Sequence, residues 1–177
     1  MFTLKRIAVL SAIALGPLIS LSVVGHAQSL GTSISESQLQ SFDLIAPPDG
    51  SGYPEGSGTA VQGRDIFERR CAACHGMKGE GTSALTRLVG GDMQSEDLPI
   101  RTVGSFWPHA STLFDYVQRA MPADAPKSLS SSEVYQVIAY ILNLNEIISN
   151  SQILNKETLM QVEMPNKDGF VDRSQAP

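Results

Sequence analysis

Two cysteines and a histidine lie within five consecutive residues, with Cys71, Cys74 and His75 in the pattern C-x-x-C-H. Thiols at this spacing can each form a thioether with one vinyl group of a haem, and the adjacent imidazole can bind the iron. A zinc site would need about four Cys or His ligands, but the whole chain has only two cysteines and three histidines. A redox-active dithiol would follow a strand within a βαβ unit, whereas the residues before Cys71 have a helical pattern. The motif therefore predicts one covalently attached haem c.

Apolar periodicity predicts the helices that would position this motif and cover the cofactor. The predicted helices are residues 60–73, 111–120 and 130–144. Ser111 is the expected N-cap of the second helix, and Ser131 or Ser132 that of the third. Because little β signal is present, the fold is predicted to be all-α.

Gly63 is unusual inside the first helix, where glycine costs up to about 1 kcal/mol relative to alanine. A close crossing with another helix would explain it, and the alternative is that Gly63 begins the helix. Tyr140 lies on a flank of the third helix from which it could contact Phe67 near such a crossing.

The glycine-rich residues 76–97 are predicted to form a loop on the histidine side of the haem. A backbone carbonyl of this loop is expected to accept the N–H of His75. Arg87, Arg101 and Trp107 could donate to the haem propionates. Arg101 and Trp107 are favoured because they flank a turn at Gly104.

The sixth iron ligand is expected to be a methionine on the face opposite His75. Met121 is the first choice, because Pro122 ends the second helix there and a loop follows. Met164, which also precedes a proline, is the main alternative, and His109 is the third candidate.

Composition outside the predicted helices indicates a leader and two extensions. The predicted segments are a signal peptide at 1–27, an irregular arm at 28–59, the haem domain at 60–144 and a C-terminal extension at 145–177. The leader has Lys5 and Arg6 before an apolar run, so we expect it to be cleaved and the mature protein to lie in the periplasm with no membrane segment. The alternative is an uncleaved membrane anchor, for which the apolar run is barely long enough. The arm could be a disordered linker or could lie on a partner subunit.

The chain is acidic, with 13 Lys and Arg against 18 Asp and Glu, a formal charge of −5. Removal of Lys5 and Arg6 with the leader would change this charge to −7. Such acidity argues against nucleic acid or anionic lipid as a partner. No disulfide is expected, because the haem motif uses both cysteines.

The order of these features resembles the class I cytochrome c fold over residues 60–144. Cys71, Cys74 and His75 match the haem motif of that family, and Met121 matches its distal methionine. One departure is that family members often have a Gly-Pro pair soon after the motif, whose carbonyl orients the histidine. Here the first proline after His75 is Pro99, so the partner of the His75 N–H is unassigned.

Four further motifs resemble the cytochrome subunits of molybdenum sulfite dehydrogenases and of the sulfane dehydrogenase of sulfur oxidation. They are Pro-Asp-Gly-Ser-Gly at 48–52, Phe-Trp-Pro-His at 106–109, Arg-Ala-Met-Pro at 119–122, and residues 164–170. The resemblance implies an electron-transfer subunit that accepts electrons from a molybdenum subunit and passes them to a downstream cytochrome c. No catalytic residue or substrate site is expected on this chain. The alternatives are a free electron shuttle serving several dehydrogenases, and a gas-binding or peroxidatic haem protein.

Overall fold

The computed structural model describes residues 31–39, 42, 44–83, 86–95, 99–171, 173 and 174. The chain divides into units of residues 1–34 and 35–177, and the fold described here is that of the second. Its helices are α1 (Glu36–Leu39), α2 (Ala60–Arg70), α3 (Ala72–His75), α4 (Ala110–Ala120), α5 (Ser131–Leu144) and α6 (Lys156–Leu159). The described residues contain no strand, which confirms the all-α prediction. The predicted signal peptide lies outside the described residues.

A tight crossing of α2 and α5 forms the centre of the domain. A Cβ added to Gly63 would lie 1.8 Å from the carbonyl oxygen of Gln136 and 3.0 Å from Cβ of Tyr140. The rings of Phe67 and Tyr140 meet beside this point with centroids 5.2 Å apart. The predicted close crossing is therefore confirmed, and it accounts for the glycine inside α2.

Both helices of the crossing begin with a capping box. The Thr59 hydroxyl accepts from the backbone N–H of Gln62, and the Gln62 side chain accepts from the Thr59 N–H. Ser130 and Glu133 form the same reciprocal pair at α5. Each box satisfies backbone donors that the first helical turn leaves unpaired.

Two predicted caps are wrong by one or two residues. The cap of α5 is Ser130, since Glu133 stands three residues after it and completes the box. Helix α4 begins at Ala110 with His109 as N-cap, and no side chain caps it. Ser111 is instead buried in the first turn of α4.

The first helix stops earlier than its periodicity predicts. Cys71 has φ −123° and ψ −37° and separates α2 from α3. Its N–H donates to the Phe67 carbonyl (2.8 Å), while its own carbonyl accepts from the N–H groups of Cys74 and His75. Helix α3 is thus a separate turn that carries Cys74 and His75 of the motif.

The second half of the N-terminal arm packs on the chain's own helices. The Ala46 N–H donates to Asp115 Oδ1 on α4 (3.1 Å). Tyr53 is only 8% exposed and meets Phe114 edge to face, with centroids 5.2 Å apart. The Tyr135 hydroxyl donates to the Pro54 carbonyl (3.1 Å). This part of the arm is irregular, as predicted, but it forms part of the domain's core.

The C-terminal extension also returns to the domain. Ile148, Leu154 and Leu159 are buried in the core, whereas Ile153 is 56% exposed. Leu154 and Gly58 exchange both backbone hydrogen bonds (2.8 and 2.9 Å), which join the extension to the arm.

Further along the extension, the Asn166 amide donates to the Phe106 carbonyl (2.6 Å), and the rings of Phe106 and Phe170 meet at 5.2 Å. These contacts fix the extension against the loop that leads into α4. In the described part of the chain, no helix is long and apolar enough to cross a membrane.

Candidate haem-binding site

The two thiols of the motif lie at the junction of α2 and α3. Both are free, with Cys71 half-buried and Cys74 exposed. The pKa of the Cys71 thiol is raised to about 11, mainly by burial, with the nearby Arg70 lowering it and Cys74 raising it. Cys71 is therefore a protonated thiol at neutral pH in the folded chain. The two cysteines lie three residues apart on one turn, the spacing that attachment to a single haem requires.

The imidazole of His75 is oriented by a backbone carbonyl. Its Nδ1 forms a short hydrogen bond with the carbonyl oxygen of Thr86. A carbonyl can only accept, so Nδ1 carries the proton, and Nε2 keeps the lone pair that an iron ligand needs. Thr86 therefore supplies the carbonyl that the sequence left unassigned.

The turn that carries Thr86 is folded back onto the motif. The hydroxyl oxygen of Thr86 accepts from the N–H groups of Thr82 (3.1 Å) and Ser83 (3.2 Å). The Thr82 hydroxyl donates to the carbonyl of Cys74 (2.8 Å), and the Gly81 N–H donates to the carbonyl of His75 (2.6 Å). The turn that precedes the Thr86 carbonyl is thus bonded to the backbone of the motif.

Gly76 lets the chain turn sharply away from α3. Its φ of +80° is strained for any residue with a Cβ, and such an atom would lie 2.4 Å from Glu80 Oε2. The Glu80 carboxylate accepts from the Lys78 N–H (2.7 Å), and the backbone carbonyl of Glu80 accepts from Arg87 Nε (3.1 Å). Arg87, one of the propionate candidates, is therefore tied to this loop.

Met121 stands where the sequence predicts the end of the second helix. It is the C-cap of α4, with an extended backbone (φ −118°, ψ 150°), and its half-buried side chain packs against the core. The loop that follows is fastened to the end of α2 by a hydrogen bond from Arg70 Nη2 to Ser128 Oγ (2.8 Å). Arg70 immediately precedes Cys71, so the Met121 loop is connected to the haem motif.

Met164 and His109, the other candidate ligands, and two further methionines have different surroundings. Met164 is 2% exposed within the hydrophobic core. The sulfur of Met160 lies against Gly50 of the arm. Met77 and His109 are both exposed.

Arg101 and Trp107 lie on either side of Gly104, as predicted. The Arg101 guanidinium is exposed and stands 4.9 Å from the centroid of the Phe106 ring. Trp107 is half-buried and meets Tyr116 edge to face, with centroids 5.9 Å apart. Among the described residues neither side chain has a hydrogen-bonding or ionic partner. Their predicted role at the propionates stays a prediction.

The donor set fits a c-type haem. Cys71 and Cys74 would hold the group covalently, and His75 Nε2, with its tautomer fixed by Thr86, would bind the iron. A haem iron supplies reversible one-electron transfer between the ferrous and ferric states.

Comparison with known proteins agrees with this assignment. Residues 58–141 match the family described as cytochrome c oxidase, cbb3-type, subunit III. No curated protein matches the chain. A chain in the crystal structure of the sulfane dehydrogenase SoxCD from Paracoccus pantotrophus is 36% identical, with a TM-score of 0.76. That match covers 83% of this chain and 74% of the SoxCD chain. The protein therefore belongs to the class I c-type cytochromes, which carry electrons on a covalently bound haem.

Proposed function

We propose that this protein is a periplasmic monohaem cytochrome and the electron-accepting subunit of a molybdenum dehydrogenase. The partner would oxidise sulfite or a related sulfur compound, and this chain would pass the electrons singly to another cytochrome c. It would contribute no catalytic residue to the oxidation.

The extent of the likeness to SoxCD carries this proposal. The cytochrome family match ends at residue 141, whereas the likeness to a chain of a sulfane dehydrogenase covers 83% of the protein. It therefore reaches beyond the haem domain into the segments before or after it. Those segments form part of the folded core through Tyr53, Leu154 and Met164.

We further propose that the iron ligands are His75 and Met121. Met121 is supported by its position at the end of α4 and by the bond between Arg70 and Ser128, which connects its loop to the haem motif. The burial of Met164 is accounted for by packing, which is the usual role of a core methionine. A methionine ligand raises the potential of the iron relative to a second histidine.

Purification of the tagged protein from its native periplasm tests the proposed partner. We expect a larger subunit to co-purify, with molybdenum and haem in equal amounts, and the haem to be reduced by sulfite or another sulfur compound. A single haem-containing chain without molybdenum would instead indicate a free shuttle. A change in the ferrous spectrum on addition of CO would indicate an open iron site and a gas-binding or peroxidatic protein.

A further inference from the structure

The side chain of Asn145 joins the end of α5 to the loop on the histidine side of the site. Its Nδ2 donates to the carbonyls of Ile141 (2.9 Å) and Leu88 (3.2 Å), and its Oδ1 accepts from the N–H of Gly90 (3.2 Å). Because the NH₂ group of an amide donates and its oxygen accepts, two carbonyls and one N–H can all be bonded only in this orientation. Asn145 thus bonds to the loop at Leu88 and at Gly90, on both sides of Val89.

This amide is held by the most deeply buried helix of the domain. All six residues from 137 to 142 of α5 are buried, and Asn145 directly follows that helix as its C-cap. The loop before α4 also approaches closely, because a Cβ on Gly104 would lie 2.1 Å from Asn145 Oδ1. Asn145 therefore has little room to move and can hold the loop in a fixed position.

The segment that Asn145 holds carries the carbonyl that orients His75. The N–H groups of Leu88 and Val89 donate to the Gly79 carbonyl (2.8 and 3.0 Å), so Gly79 holds this segment from the motif side. Only one planar peptide unit lies between those that carry the Thr86 and Leu88 carbonyls. We therefore expect a displacement at Leu88 to shift the Thr86 carbonyl, two residues away.

We propose that Asn145 is a positioning residue for the proximal iron ligand. It holds residues 86–90 so that the Thr86 carbonyl accepts the Nδ1 proton of His75. That hydrogen bond makes the imidazole a more basic ligand and favours ferric iron. Loss of the Asn145 amide weakens the bond and raises the reduction potential. The inference rests on membership of the cytochrome family and does not depend on the proposed partner.

The test compares Asn145→Leu with Asn143→Leu in the haem-loaded protein. Asn143 is a matched control, because its Nδ2 donates to the Ile148 carbonyl (3.0 Å) in the C-terminal extension instead of the loop. Both substitutions replace an asparagine by leucine at the same end of α5, and both leave the charge unchanged. The readouts are the reduction potential and the exchange rate of the His75 Nδ1 proton measured by NMR.

In Asn145→Leu we expect a higher potential and exchange of the Nδ1 proton that is faster by about tenfold, the same scale as the loss of metal affinity or activity when a partner of a metal ligand is removed. Asn143→Leu should keep both at the wild-type values. Equal values in the two variants would overturn the proposal. If Asn145→Leu does not retain its fold, Asn145→Ser serves for the same two measurements, and wild-type values there would overturn it as well.

Discussion

His75 has two ring nitrogens, and each has a separate task. Nδ1 donates to the Thr86 carbonyl, and Nε2 is left as a ligand with its lone pair free. The same division of tasks occurs wherever a metal-binding histidine needs a fixed ring orientation. In this chain the carbonyl belongs to Thr86, in a turn that is bonded to Cys74 and His75 of the motif.

On the opposite face, Met121→Ala should remove the axial thioether. We expect loss of the weak sulfur-to-iron band at the red end of the ferric spectrum, a lower reduction potential and binding of CO. The matched control is Met164→Ala, which should keep all three properties. It should destabilise the protein by about 2–5 kcal/mol in denaturant unfolding, because it empties a buried core position. A band that survives in the first variant and vanishes in the second would show that Met164 is the ligand.

At the residue scale, the sequence identifies ligands better than the groups that orient them. Cys71, Cys74 and His75 are recognisable because their side chains do the chemistry at a fixed spacing. Thr86 was not predicted as the proximal acceptor, because every residue has a carbonyl and no side-chain pattern indicates which one is used.

Among the elements, the crossing of α2 and α5 is the tightest, and Gly63 makes it possible. Gly63→Ala should lower the free energy of unfolding by about 2 kcal/mol, because the new Cβ would overlap the Gln136 carbonyl. At an open helical position the same change would raise the free energy of unfolding by up to about 1 kcal/mol. The sign of the change therefore decides whether α5 packs tightly against Gly63. Denaturant unfolding of the haem-loaded protein measures it, with the exposed neighbour Arg64→Ala as control. A stabilised Gly63→Ala protein would contradict this crossing.

The end of α5 contains a strained residue that a substitution can relieve. Glu146 has φ +59°, while its N–H donates to the Asn143 carbonyl (2.9 Å) and the N–H of Ile147 donates to the Leu142 carbonyl (3.0 Å). This is a Schellman motif, in which the residue after the C-cap is usually glycine.

Glu146→Gly should therefore raise the free energy of unfolding by about 1 kcal/mol, measured by denaturant unfolding. Glu146→Ala is the control, since it removes the carboxylate from the negative end of the helix but keeps the Cβ. An equal gain in both variants would assign the effect to charge and not to the backbone.

The elements themselves were largely predictable from sequence. Periodicity predicted the second and third helices of the haem domain to within one residue at their starts, because each buries a continuous apolar face. It did not predict the interruption at Cys71. That break depends on how the backbone turns to present two thiols and an imidazole, and it leaves the apolar spacing of Gly63, Phe67 and Cys71 unchanged.

For the molecule as a whole, the arm is part of the core and not an appendage. Tyr53→Ala should lower the free energy of unfolding by about 3 kcal/mol, because it removes a ring packed against Phe114. Phe42→Ala, at a site 68% exposed where the ring contacts Lys127, should change it by less than about 0.5 kcal/mol. Denaturant unfolding measures both. Equal stability of the two variants would mean that the arm does not contribute to the core.

This placement could not be predicted from composition. Residues 44–59 are mostly Gly, Pro, Ser and other small or polar residues, which usually indicate a linker. Their attachment includes one buried tyrosine, single hydrogen bonds to Asp115 and from Tyr135, and the pairing of Gly58 with Leu154, all with residues that are distant in the sequence.

Such distances have a consequence for the order in which a newly made chain is assembled. Pro54 and Tyr135 are 81 positions apart, and Glu55 and Lys156 are 101 apart. The bonds that shape the haem motif join residues close together in the sequence, such as Cys71 with His75 and His75 with Gly81. Local contacts cost less loop-closure entropy than contacts between distant residues, which form late in folding. We therefore expect the motif to take its shape before the arm is attached, and the pairing of Gly58 with Leu154 to be among the last contacts made.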